Sequence, residues 1–229
     1  MQVEIREQDS ATLQEYIWSD QYLHKCLYIW YAMVVNMTQK LKTELDLGLK
    51  YDIEFELRDK DGKLIKKWVQ EGRSWVKWFL YLLYVQMAQT SITVTKTDGT
   101  SGGIGTLNYN LIISGGYGTD TYGIVVGSSN LAWTIEQNKL DSKISHGNGS
   151  GQLLYGNTTV DDVSQITNGY RIFVSRVFTN NSGASVIVKE VGIYNYNNVM
   201  FARDVLTSPV EVQNLQSLTV RYSIYFTYA

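Results

Sequence analysis

The stretch SLTVRYSIYFTY, residues 217–228, alternates without interruption. Leu218, Val220, Tyr222, Ile224, Phe226 and Tyr228 fall on one side, and Thr219, Arg221, Ser223, Tyr225 and Thr227 on the other. A period of two belongs to a β-strand, and a strand apolar on one side must bury that side against a second layer. At about 1.5–3 kcal/mol per fully buried large side chain, this face stabilises a fold by several kcal/mol. The chain must therefore build a layered sheet around it.

The same grammar runs back to residue 91. ITVTKT, LNYNLII, YGIVVG, QLLYG, YRIFVSRVF, SVIVKEVGIY and VMFARDVL precede the last strand, separated by clusters of turn-forming residues. Eight short strands at irregular spacing predict an antiparallel sandwich or jelly roll. With Pro 1 and Gly 19 in the whole chain, turns fall to Gly, Asn, Asp and Ser. In RVFTNNSGASVIVKEVGIYN, residues 176–195, the Asn180-Asn181-Ser182-Gly183 insert predicts a hairpin. Gly192 predicts a bulge or a close neighbour, often an aromatic. No fixed repeat appears, which excludes a solenoid or propeller.

The first part of the chain differs. Residues 1–78 carry 12 of the 20 basic and 13 of the 22 acidic side chains. Asp9 or Ser10 can cap a helix through Leu13, Tyr16, Ile17 and Leu23, continuing to Leu45 and ending at Gly48. Tyr51, Ile53, Phe55 and Leu57 alternate with charged residues, Asp59-Lys60-Asp61-Gly62 turns, and LIKKWV returns, which predicts a hairpin. SWVKWFLYLLYVQM, 74–87, predicts a helix capped by Ser74 and apolar on most sides. The expected boundary lies near residue 90, with a helical and hairpin region at 1–90 and a β-sandwich domain at 91–229.

Several chemistries are excluded or disfavoured. The single cysteine, Cys26, forbids an intrachain disulfide, and a net charge of -2 argues against dedicated nucleic-acid binding. MQVEIREQDS has no signal-peptide pattern. The longest apolar run, 26–35, is short of the ~18–20 residues of a membrane span. It reads as a buried segment, with membrane contact as the alternative. The glycine-rich stretches 101–105 and 147–151 match no dinucleotide or phosphate loop. Asp59–Gly62 lacks calcium-loop ligands at the required positions. His24 and His146 have no metal-ligand spacing. Ser145, His146 and Asp141 can be drawn as a triad, and Asp161-Asp162 as paired carboxylates, but neighbouring positions seldom supply such geometry. No catalytic residue, cofactor or metal site is expected, and the chain reads as a non-enzyme.

Aromatic and uncharged surface points instead to contacts. Trp30, Trp75, Trp78, Phe79, Leu82 and Arg203 are interface candidates. In FARDVL, Arg203 and Asp204 face apart and should find separate partners, with Arg203 either buried or at an interface, or a plain surface charge. Tyr117, Tyr122, Trp133 and Tyr155, near Gly-rich turns, are candidates for stacking on sugars.

RVFTNNSGASVIVKEVGIY, FARDVL and PVEVQNLQSLTVRYSIYF, in that order, resemble β-sandwich virion structural proteins of tailed phages and archaeal viruses. The upstream YGIVVGSSN…SKISHGNGSGQLLYG and DKDGKLIKKW…SWVKWFLYLLY are similar in order and style, so the resemblance spans about residues 50–229. It implies a homo-oligomeric part of a virus particle: capsid, vertex, turret, tail or adapter. The partners implied are copies of itself, other virion proteins and host surface glycans. The alternative is a carbohydrate- or host-surface-binding sandwich module.

Overall fold

The structure is a computed structural model that describes residues 49–72, 74–106 and 110–227. The helix expected before Gly48, the 26–35 run, Trp30, His24 and Cys26 lie outside the described residues.

The described chain is mainly β. Eleven strands run in order: β1 (Lys50–Arg58), β2 (Leu64–Glu71), β3 (Ile92–Thr95), β4 (Ser101–Ile104), β5 (Gly123–Gly127), β6 (Leu154–Val160), β7 (Ser164–Ile166), β8 (Gly169–Thr179), β9 (Val186–Tyr194), β10 (Met200–Val212) and β11 (Ser217–Thr227). One helix, α1 (Lys77–Ala88), separates β2 from β3. The larger sheet has the order β2-β1-β11-β8-β6, with β7 also on β8. The smaller has the order β10-β9-β5, and β3 pairs with β4 alone. All of these pairings are antiparallel.

The alternation does what its period requires over residues 218–224, and Phe226 beyond it is 49% exposed. Leu218, Val220, Tyr222 and Ile224 are buried, beside Tyr51, Ile53, Phe55 and Leu57 of β1 and Val174 and Phe178 of β8. They share one core with Ile124, Val126, Val191 and Ile193 of the smaller sheet. Hydrogen bonds cross between the sheets, from the Tyr51 hydroxyl to Asp204 (2.5 Å) and from Arg176 to the Ile124 carbonyl (2.8 Å). Two antiparallel sheets facing across a core are consistent with a β-sandwich.

Three expectations need correction. Residues 50–71, expected on the other side of a boundary near residue 90, are part of the large sheet. The β1–β2 hairpin belongs to the large sheet, because β1 pairs with β11 along its whole length, from Lys50↔Tyr225 to Arg58↔Ser217. Its apolar face completes the inner face of β11, so a cut at residue 90 would strip the core.

Residues 176–195 do not form a hairpin. β8 lies in the large sheet and β9 in the small one, so the Asn-Asn-Ser-Gly insert carries the chain from one layer to the other. Asn180 drives this corner. Its side-chain amide donates to the Ala184 and Val212 carbonyls (2.7 Å each), and its Oδ1 accepts from the Ser182 backbone N–H (2.9 Å). The β10–β11 turn crosses between sheets beside it, and its Asn214 Oδ1 accepts from the Gly183 N–H (3.0 Å). Gly183 sits at φ +81°, a conformation that favours glycine.

LNYNLII supplies no strand among its described residues. Asn110 is buried, and its side chain donates to the Gly105 carbonyl (2.9 Å) and Gln86 (3.1 Å). These local bonds hold an irregular connection. The short β4 and β7 went unforeseen.

Gly192 has close neighbours, but none is aromatic. A Cβ there would lie 2.8 Å from the Ala202 carbonyl and 3.0 Å from a Leu140 methyl. Leu140 belongs to residues 128–146, which cross the outer face of the small sheet. This explains why every residue of β5 is buried: both faces of the small sheet are covered.

Candidate functional site

Four arrangements stand out from the frame. The first is a buried ion pair. The Arg203 Nε donates to Glu190 Oε2 at 2.6 Å, and both side chains are 0% exposed. Arg203 also donates to Gln137 Oε1 (2.9 Å) and the Leu131 carbonyl (3.1 Å). Glu190 accepts from the Asp141 and Ser142 backbone N–H groups (3.2 and 2.7 Å). The pair clips residues 131–142 onto the small sheet. Of the settings that FARDVL leaves open for Arg203 (buried, interfacial or a surface charge), the structure has the buried one, and Asp204 faces the opposite layer, where it accepts from Tyr51 and Ser74. Burial and the neighbouring carboxylate push the Tyr51 hydroxyl far up, so it remains a donor.

The second is Arg176, also buried. Its guanidinium donates to five backbone carbonyls: Gly156 (2.8 Å), Tyr122 (3.2 Å), Ile124 (2.8 Å), Gly116 (3.1 Å) and Thr119 (2.5 Å). It lies 4.7 Å over the Tyr155 ring. Burial pulls its pKa down to about 10, so it stays charged at neutral pH. One side chain thus shapes the 115–124 loop.

The third is the loop around His146. His146 Nδ1 accepts from the Tyr155 backbone N–H (3.0 Å), and the His146 N–H donates to Asp120 (2.9 Å). An Nδ1 spent on a backbone donor is no general base for Ser145, so the drawn triad does not form. Burial would raise the Asp120 carboxyl, but the hydrogen bonds from the His146 N–H and Lys143 outweigh it and hold the group below its ordinary value. Asp161 and Asp162 are exposed beside β7. Among the described residues, no cluster of three His, Cys, Asp or Glu could hold a metal. Among them, too, no helix is long and apolar enough to cross a membrane.

The fourth is exposed apolar surface. α1 packs Leu82 and Val85 inward and leaves Leu80 70% and Met87 84% exposed, with Tyr81 and Tyr84 open between them. Leu64, Ile65 and Val69 are open on the edge strand β2. A small apolar groove of about 140 Å³ lies between Val163, Tyr170, Ile224 and Phe226.

The expected contact residues separate on this surface. Leu82 and Arg203 are spent inside the fold. Trp75, Trp78 and Phe79 are half-buried and brace α1: Trp75 stacks on Phe79 at 4.5 Å, and Phe79 meets Phe201 at 5.0 Å. Ser74 does not cap α1. The N-cap is Val76, and the Ser74 hydroxyl is taken by Asp204. Tyr81, which widens the apolar stripe of the helix, is open, and so are Leu80, Tyr84 and Met87, which that stripe does not include.

The four sugar-stacking candidates do not converge. Tyr155 is fully buried and donates to the Ile144 carbonyl (2.5 Å), so it offers no stacking face. Tyr122 packs edge-on against Tyr196 at 5.2 Å. Tyr117 is 67% exposed beside His146. Trp133 lines an open groove of about 550 Å³ with Gln70, Glu71, Asp204 and Thr207.

No protein-family model, curated protein or solved structure matches the chain.

Proposed function

We propose that the chain is a structural subunit of a virus particle, assembling as a homo-oligomer at the capsid, a vertex or turret, or a tail or adapter, and that it is not an enzyme. The observation that carries this reading is the open apolar face of α1. Leu80, Tyr81, Tyr84 and Met87 stand in water on a helix that has no acidic residue and only Lys77 as a base. Contiguous apolar surface of this kind marks an interaction site in a soluble subunit. The resemblance of residues 50–229 to virion proteins supports the same reading. On it, the sandwich is jelly-roll-like, the clips of Arg176 and Arg203 make a rigid building block, and the protein resides in the virion. The test is proteomic: purified virus particles should yield peptides of this chain at a stoichiometry comparable to other structural components. Particles free of it would remove the reading.

A second reading, host-glycan binding, is favoured by Trp133 in its groove beside Gln70 and Glu71. A glycan array probed with the full chain should show binding that Trp133→Ala abolishes. An empty array would dispose of this reading.

A further inference from the structure

We infer that α1 pairs antiparallel with α1 of a second copy across a two-fold axis. This rests on the subunit reading above and names the surface and the partner. α1 is about 18 Å long at 1.5 Å per residue. Its open side chains recur three and four positions apart, so they share one face. That face carries no charge along its middle, so a second copy meets no like-charge penalty there. The only base, Lys77, sits in the first turn, and the last turn has neither acid nor base.

Lys77 is already paired with Glu136, so the first turn brings no uncompensated charge, and antiparallel pairing opposes the two helix dipoles. The contact is also self-complementary, as a two-fold requires: Leu80 of one copy faces Met87 of the other, and the Tyr84 side chains meet near the axis.

Two further apolar side chains are exposed near the ends of the helix. Ile135 is exposed beside the first turn, where its carbonyl accepts from the Lys77 N–H (3.3 Å). Leu111 is exposed beside the last turn, next to Asn110, whose amide donates to Gln86 (3.1 Å). A stable pair covers about 800 Å² per partner, and the four open side chains of α1 supply roughly half to two-thirds of that. Ile135, beside the first turn, can add to it against the last turn of the partner's helix.

The experiment uses the full chain with Cys26→Ser, so that only introduced thiols report. Leu80→Cys and Met87→Cys chains are purified separately, mixed, and oxidised. The mixture should give about ten-fold more covalent dimer than either variant alone, since a disulfide needs Cα atoms within about 7 Å. Tyr84→Glu should lower the mass to a monomer without lowering the melting temperature. Three results would overturn the inference. Leu80→Cys chains that cross-link with themselves as readily as with Met87→Cys would show a parallel contact. Absence of any cross-link while the chain still runs as an oligomer would leave the subunit reading standing and move its interface elsewhere. A monomer without any cross-link would remove both.

Discussion

Replacing Glu190 by Gln removes one charge from the interior while changing almost no volume. In the parent, Glu190 accepts from Arg203 Nε at 2.6 Å and from the Asp141 and Ser142 N–H groups at 3.2 and 2.7 Å. A glutamine keeps one acceptor oxygen and turns the other position into a donor. That donor then faces either the guanidinium or the Ser142 N–H. The buried Arg203 is left without its counter-charge, a change that costs about 3–5 kcal/mol. A typical domain has about 5–15 kcal/mol in total, so the loss is a large share. Urea unfolding of the full chain should show the midpoint falling at an unchanged slope. Hydrogen exchange should show the Asp141 and Ser142 amides losing protection before those of β11, because the 131–142 segment is what the pair holds down. A loss below about 1 kcal/mol would refute the reasoning, since it would mean the pair is solvated or dispensable.

Two further outcomes follow from the other clips. Arg176→Lys can satisfy at most three of the five carbonyls that the guanidinium serves. It should cost about 3 kcal/mol or more, read as a drop of roughly 6–12 °C in the thermal midpoint. Asp120 governs part of the acid response. Its carboxyl is held below its ordinary value in the folded chain, so its stabilisation is present above the unfolded value near ~4 and is lost as pH falls through the folded one. Stability of Asp120→Asn should therefore fall less steeply on acidification than that of the parent, in denaturant titrations run across that range.

Much of the frame was legible because a two-residue period reports directly on faces. β11 and the β1–β2 hairpin were readable for that reason, and so was the opposite facing of Arg203 and Asp204. Periodicity is silent about partners. The turn chemistry of Asn180–Gly183 suits a hairpin and a corner between sheets equally. The choice is made by the Asn180 bond to the Val212 carbonyl, which joins positions 32 residues apart. The boundary near residue 90 was misplaced for a related reason: the change in composition there does not coincide with the end of the sheet. Glu190 and Arg176 were not singled out, although each is a charge inside a strand of β-branched residues, VIVKEVGIY and YRIFVSRVF. That is the signal that could have marked them, since such a charge must be paired if both faces are covered. The open stripe of α1 was hidden by its neighbours. A helix apolar all round does not show which of its sides the fold consumes.

The most direct measurement is the mass of the full chain in dilute solution, by light scattering coupled to size exclusion and by native mass spectrometry. The account predicts a defined multiple of the 26.1 kDa chain, reduced to a single chain by Tyr84→Glu with folding intact. A soluble, monodisperse single chain at micromolar concentration, with Leu80 and Met87 standing open in water, would contradict it.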